Sequence, residues 1–274
     1  MTASAGPIDD RGRMAANRRL WDERVAVHQR SAYYDLEGFR GGASTLRSIE
    51  LEELGDVSGR SLLHLQCHFG MDTLSLARMG ARVTGVDFSE PAIELAGSLA
   101  AELGLEARFL CSNIYELTRV LHEQFDVVFT SYGVLCWLPS VAEWARVVAR
   151  FLRPGGTFVI VDGHPLAGCV EEVDGRLEIA YPLLGGDALE LQATGTYADP
   201  TIELPSRVNY QWSWPVSAIV SSLIDAGLRV ERLRELPLDT WQRLPSMTRD
   251  GDGWWRLPAD PIPLTVACRA VKPL

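Results

Sequence analysis

Residues 60–89, RSLLHLQCHFGMDTLSLARMGARVTGVDFS, constrain this chain more than any other stretch. Ser61 to Leu65 is a short apolar run without formal charge, the pattern of a buried parallel strand. Gln66 to Gly70 is polar and turn-prone, and Leu74, Leu76, Ala77 and Ala81 then recur at helical spacing. A second strand, Val83 to Val86, ends at Asp87, followed by Phe88 and Ser89. The stretch therefore reads as a β-loop-α-β unit with a carboxylate at the tip of its second strand. Units of this kind receive a nucleoside: the loop and helix N-terminus face the ligand, and the carboxylate accepts the ribose hydroxyls.

Two nucleoside ligands suit such a unit, dinucleotides and S-adenosylmethionine. A dinucleotide site requires G-x-G-x-x-G so that the backbone can approach a pyrophosphate. Here only Gly70 has a counterpart, and Gln66 and His68 fill the neighbouring slots. Bulky residues there suit a ligand without phosphate. The stretch resembles the first motif of class I S-adenosylmethionine-dependent methyltransferases, D/E-x-G-x-G-x-G, with His64, Gln66, His68 and Gly70 at the aligned positions. His64 replaces the usual acid and two glycines are lost. The loop L-Q-C-H-F-G is similar to that of a small-molecule subgroup of the family.

A chain of 274 residues is one large domain or one domain with a substantial insertion. A net charge of −10 argues against a nucleic-acid partner, which requires a basic face. Lys272 is the sole lysine, which removes the P-loop lysine and the Schiff-base lysine of a pyridoxal enzyme. Cys67, Cys111, Cys136, Cys169 and Cys268 are odd in number and scattered, as expected of reduced thiols in a cytoplasmic protein. His64, Cys67 and His68 lack a paired C-x2-C partner, so no metal site is expected. No apolar run approaches the ~20 residues of a membrane span. Residues 1–16 read as a disordered lead-in, since the N-terminal stretch lacks the apolar segment of a secretory signal.

Residues 17–34 carry Leu20, Trp21, Val25 and Val27 near helical spacing, then an aromatic turn at Tyr33-Tyr34-Asp35. The resemblance makes residues 17–54 an N-terminal cap, with a helix from Thr45 to Leu54 behind Ser44 as its N-cap. A helix from Ser89 to Glu102, a third strand at Ala107–Cys111 and a fourth at Phe125–Phe129 follow. Ser140 and Glu143 form a capping box, and the helix they open ends at L-R-P-G-G before a fifth strand, Thr157 to Val161. Residues 60–164 thus form the expected cofactor-binding core, a doubly wound parallel sheet. Turn signals at Asp174-Gly175, Gly185-Gly186-Asp187 and Asp199-Pro200 predict an antiparallel insertion of about three strands over 165–212. A helix capped by Ser213, a strand at Arg229–Leu233 and a last strand at Leu264–Val271 complete the pattern. With no helix before it, that last strand is expected to insert antiparallel. The expected fold is α/β, Rossmann-like and seven-stranded, covering residues 17–274.

On this reading the chain transfers a methyl group from S-adenosylmethionine to a small molecule, the acceptor atom being O, N, S or C. The expected cofactor contacts are Tyr33, Gln66, Cys67, His68, Gly70, Asp87, Phe88, Asn113, Ile114 and Ser131. Base candidates are His164 and Asp162 at the end of strand five and His28 in the cap, because ligands of open α/β sheets sit beyond the carboxyl ends of strands. The insertion is expected to wall the acceptor pocket or to form a homodimer interface. The alternatives are a non-methylating enzyme of the same fold and a nicotinamide-dependent oxidoreductase.

Overall fold

The computed structural model describes residues 8–274, and a single seven-stranded sheet organises them. In chain order the elements begin with three helices, α1 (Asp10–His28), α2 (Leu36–Arg40) and α3 (Ser48–Leu54). The alternating core follows as β1 (Ser61–Leu65), α4 (Met71–Arg78), β2 (Arg82–Asp87), α5 (Glu90–Glu102), β3 (Ala107–Cys111), β4 (Phe125–Ser131), α6 (Val141–Phe151) and β5 (Leu152–Gly163). Then come α7 (Pro165–Gly168), β6 (Val170–Val173), β7 (Arg176–Ile179), β8 (Leu189–Gln192), β9 (Val208–Gln211) and α8 (Val216–Asp225). The chain finishes with β10 (Arg229–Leu236), β11 (Thr248–Arg249), β12 (Trp255–Arg256) and β13 (Thr265–Val271).

The sheet order is β10-β13-β5-β4-β1-β2-β3, with β13 antiparallel to both of its neighbours and the other pairings parallel. Consecutive apolar residues in the central strands fill both faces at once. Leu63, Val128, Phe158 and Ile160 pack with Trp144 and Val148 of α6 and Ile219 and Leu223 of α8. Leu62, Val127, Val159 and Val161 pack with Ile49 and Leu54 of α3 and Leu76 of α4. All strand C-termini of the parallel part therefore open on one end, where the loops after β1, β2, β4 and β5 meet.

Local signals explain most boundaries. Ser89 Oγ accepts from the Ala92 N–H and starts α5, and Ser140 Oγ accepts from the Glu143 N–H and starts α6. The capping box at Ser140 is half formed, because the Ser140 N–H goes to the Tyr115 hydroxyl at 3.1 Å. Several expectations are corrected. Helix α1 begins at Asp10, capped by the Asp9 carboxylate on the Gly12 N–H, so residues 10–16 are helical and Ala16 is buried. The expected disorder of residues 1–7 lies outside the described residues. Helix α3 starts at Ser48 and has no side-chain cap, while the Ser44 hydroxyl accepts from Leu46 instead. The cap of α8 is Pro215, not Ser213. The insertion carries four short strands paired as two ribbons, β6–β7 and β8–β9, one strand more than the turn signals indicated.

Helix α1 is tied to the insertion. Asn17 is buried and donates to the Tyr210 carbonyl at 2.7 Å while its Oδ1 accepts from the Tyr210 N–H at 2.8 Å. Glu23 accepts from the Ser206 N–H and hydroxyl in the same manner. Asn17→Ala strands both Tyr210 backbone groups, so a loss of about 2–4 kcal/mol in unfolding free energy is expected by urea denaturation. A loss below about 0.5 kcal/mol contradicts the tie.

Candidate functional site

The loop after β1 is built from unusual backbone. Gln66, His68 and Gly70 all have positive φ, at 58°, 51° and 77°. For the two non-glycines that conformation costs on the order of 1–3 kcal/mol each, and such strain persists only where the surroundings fix it. Here three bonds do so: His68 N–H to Asp87 Oδ2 at 2.9 Å, Gln66 Nε2 to the Val134 carbonyl at 3.1 Å, and Gly70 N–H to the Cys67 carbonyl at 2.9 Å. Gly70 has no room for a side chain, since an added Cβ would lie 2.7 Å from the Phe109 ring.

Asp87 ends β2 and is buried. Its second oxygen, Oδ1, accepts from the Ser89 N–H at 2.9 Å, so the carboxylate joins the loop after β1 to the start of α5. Burial pushes its carboxyl up to about 6 against the opposing backbone donors. Phe88, Asn113 and Ile114 line the same cavity. The Asn113 oxygen caps the short 3₁₀ turn behind it, accepting from the Tyr115 N–H at 3.0 Å, which leaves one acceptor direction for a ligand. Cys67 is buried and also lines the cavity, its sulfur 2.9 Å from where a Gly85 Cβ would stand.

A second polar group lies at the ends of β1 and β4. His64 Nδ1 is 2.8 Å from Thr73 Oγ1 and Nε2 is 3.2 Å from Ser131 Oγ. Ser131 in turn donates to Asp72 Oδ2 at 2.9 Å, and Thr45 donates to Asp72 Oδ1. Because the Ser131 hydroxyl proton goes to Asp72, His64 donates from Nε2 and accepts Thr73 at Nδ1. Burial holds His64 down to about 4, so it is neutral at pH 7. Asp72 was not foreseen. It sits in the first turn of α4, where an acid is favoured by the helix dipole alone, so its type carried no distinct signal.

The base candidates after β5 are both engaged. Asp162 accepts from the backbone N–H groups of Leu135 and Gly163 at 3.0 and 2.7 Å, and from Gly133 and Val134. It holds the loop after β4 in place. His164 caps α7 with Nδ1, accepting from Leu166 at 3.1 Å, and donates from Nε2 to Glu235 at 2.8 Å. Both of its ring nitrogens are thus hydrogen-bonded within the protein.

The cap closes over these loops through aromatic rings. His28 is fully buried, with Nδ1 2.9 Å from His68 Nε2. Burial lowers His28 to about 3, with the Arg24 charge adding to it, and lowers His68 as well. Tyr34 stacks on His28 at 5.2 Å between ring centroids, and its hydroxyl shares a hydrogen bond with that of Tyr197 from the insertion. Tyr33 donates to Thr240 at 3.3 Å. Together these elements line a partly open cavity of about 1160 Å³. That exceeds the ~300–1,000 Å³ of an ordinary small-molecule site, leaving room for two ligands side by side.

Residues 63–160 match a family model described as a methyltransferase domain. The chain is 34% identical over 215 residues to the ubiquinone biosynthesis O-methyltransferase of Alkalilimnicola ehrlichii, covering 75% of this chain and 82% of that one. The chain belongs to the S-adenosylmethionine-dependent methyltransferases. Its cofactor is S-adenosylmethionine, and the nicotinamide alternative falls with that assignment.

Coverage differs among the methyltransferase's relatives. The enzyme of the same name from Aeromonas salmonicida is 31% identical over 134 residues, which span 47% of this chain and 56% of that one. Solved structures share the fold. A methyltransferase from Mesorhizobium loti superposes with a TM-score of 0.59 at 20% identity, over 85% of this chain and 99% of that one. The Burkholderia thailandensis 1,6-didemethyltoxoflavin-N1-methyltransferase gives 0.56 at 17% identity, over 99% and 94%. No described helix of this methyltransferase is long and apolar enough to cross a membrane.

Proposed function

We propose that the protein transfers the methyl group of S-adenosylmethionine to a small-molecule acceptor inside this cavity. The observation that carries this reading is the Asp87 carboxylate. Backbone N–H groups fix both of its oxygens, yet each oxygen keeps a further acceptor direction for a ribose hydroxyl. Gln66 to Gly70 then borders the methionine portion, and Gln66 Oε1, buried without a partner among the described residues, suits the cofactor's ammonium. Phe88 flanks the adenine, Asn113 and Ile114 meet its edge, and Ser131 and Tyr33 lie toward the methyl group. Once bound, the cofactor supplies a methyl group already activated on a sulfonium.

The chain has three tasks left: alignment, exclusion of water and contact with the acceptor. In this reading residues 17–54 act as the cap and residues 165–212 as the acceptor wall. The Tyr34–Tyr197 hydrogen bond and the Asn17–Tyr210 pair support that division. Neutral His68 lines the cavity as a hydrogen-bonding partner, and the buried His28 holds it in orientation. Mass-spectrometric detection of S-adenosylhomocysteine, with a panel of small phenols, amines and thiols, tests the reading. Acceptor-dependent formation is expected. Acceptor turnover without any S-adenosylhomocysteine contradicts methyl transfer and favours a non-methylating enzyme.

A pH dependence follows from Asp87. Its raised value stabilises the cofactor-free fold at low pH, and that contribution is lost as the pH rises through about 6. Ribose hydroxyls donate to the ionised form, so cofactor binding expels the proton. Affinity for S-adenosylhomocysteine is therefore expected to fall as pH drops through 6, by about tenfold per unit below it. Calorimetry between pH 5 and 8 measures this, and a flat profile contradicts the role of Asp87.

A further inference from the structure

Arg24 is the one charged side chain around the cavity that has no hydrogen-bond or ion-pair partner among the described residues. It is 7% exposed and lines the cavity. Its Nε is buried and without a partner among the described residues. The other charges there are held. Asp72 takes Thr45 and Ser131, Asp87 and Asp162 take backbone N–H groups, Arg243 pairs with Asp239, and Arg47 and Arg249 reach the Gly253 carbonyl.

Two indole faces fix the guanidinium in direction. Its Cζ lies 4.9 Å from the Trp21 ring centroid and 5.7 Å from that of Trp137. Such contacts hold a cation without neutralising it. The titratable groups around it do not neutralise it either: burial pushes the Tyr34 and Tyr197 hydroxyls away from ionisation and the Cys136 thiol up to about 12. A buried charge without a counter-charge is strongly disfavoured unless a ligand supplies one. The groups around Arg24 come from the aromatic turn of the cap, the insertion and the segment after β4. Trp21 also packs on His68 of the Gln66–Gly70 loop, and the Arg24 charge reaches that ring, whereas Asp87 and Asn113 are not among its neighbours.

We propose that Arg24 is the anion receptor of the acceptor site, and that the acceptor is a flat aromatic molecule bearing a carboxylate. This rests on the methyltransferase reading above. The fork of the guanidinium matches the two oxygens of a carboxylate. The rings of Trp21, Trp137, Tyr34 and Tyr197 around it suit an aromatic body attached to that group. Placing the anion on Arg24 also orients the rest of the acceptor toward the ends of β1 and β4.

The test uses the full-length protein loaded with S-adenosylhomocysteine, titrated calorimetrically with 4-hydroxybenzoate and with the neutral, near-isosteric 4-hydroxybenzamide. The acid is expected to bind at least about tenfold more tightly than the amide, and Arg24→Gln is expected to erase that preference while keeping S-adenosylhomocysteine affinity within about twofold. Equal binding of acid and amide, or no binding of the acid at millimolar concentration, overturns the proposal; this arm needs no variant and stands even if Arg24→Gln folds poorly. Loss of S-adenosylhomocysteine affinity in folded Arg24→Gln also overturns it, because Arg24 then serves the methionine carboxylate. Failure of the wild type to bind S-adenosylhomocysteine is a separate result and strikes the functional reading itself.

Discussion

Gly70→Ala is expected to lower the unfolding free energy by about 2–4 kcal/mol, the sum of a left-handed backbone penalty and overpacking. Gly70 has φ 77°, and an added Cβ would stand 2.7 Å from Phe109 Cε1 and 3.0 Å from Ala96 Cβ. The Phe109 ring cannot retreat freely, because it packs in the same cluster as Phe69, Leu74 and Leu99. Gly97, on α5, supplies the control. It has ordinary helical backbone and nothing within 4 Å of a new Cβ, so Gly97→Ala is expected to stabilise the fold by about 0.5–1 kcal/mol. Urea denaturation of both variants reads the contrast. Equal effects contradict the tight seat of the loop on β3.

Asp87→Ala is expected to weaken S-adenosylmethionine binding by on the order of 2–3 kcal/mol, about 30- to 150-fold, through loss of charge-assisted hydrogen bonds to the ribose. The variant also removes the acceptors of the His68 and Ser89 N–H groups, which loosens the loop that borders the methionine portion. Asp87→Asn separates the two effects, since the amide oxygen still accepts from one backbone N–H while the charge is gone. Both variants are measured by calorimetry after circular dichroism shows them folded. Unchanged affinity in either one removes Asp87 from the nucleoside site.

The sheet was legible because its signals are local and redundant. SLLHL, VTGV and FDVVF are short and mostly apolar, and each is followed by a turn or a helix cap within a few residues. Strands β1 and β3 and helix α5 fall where the sequence put them. The start of α1 was not legible, because residues 10–19, DRGRMAANRR, are mostly polar and the helix is held by Asn17 and Glu23 gripping the insertion. Such contacts span nearly two hundred positions and leave no local pattern. The same reason hid the state of His164 and Asp162. Their residue types suit a base, yet both are consumed by backbone donors and Glu235, which only the folded chain brings together. Arg24 was hidden within the polar composition of α1. Its one trace is spacing, since Trp21, Arg24 and His28 at intervals of three and four share a helix face.

The most direct measurement is a crystal structure of the protein with S-adenosylhomocysteine. The account predicts both ribose hydroxyls at about 2.6–2.9 Å from the Asp87 carboxylate oxygens. It further predicts the adenine between Phe88 and Ile114, and the homocysteine along Gln66 to Gly70. A nucleoside bound elsewhere in the cavity, or a ribose with no contact to Asp87, contradicts it.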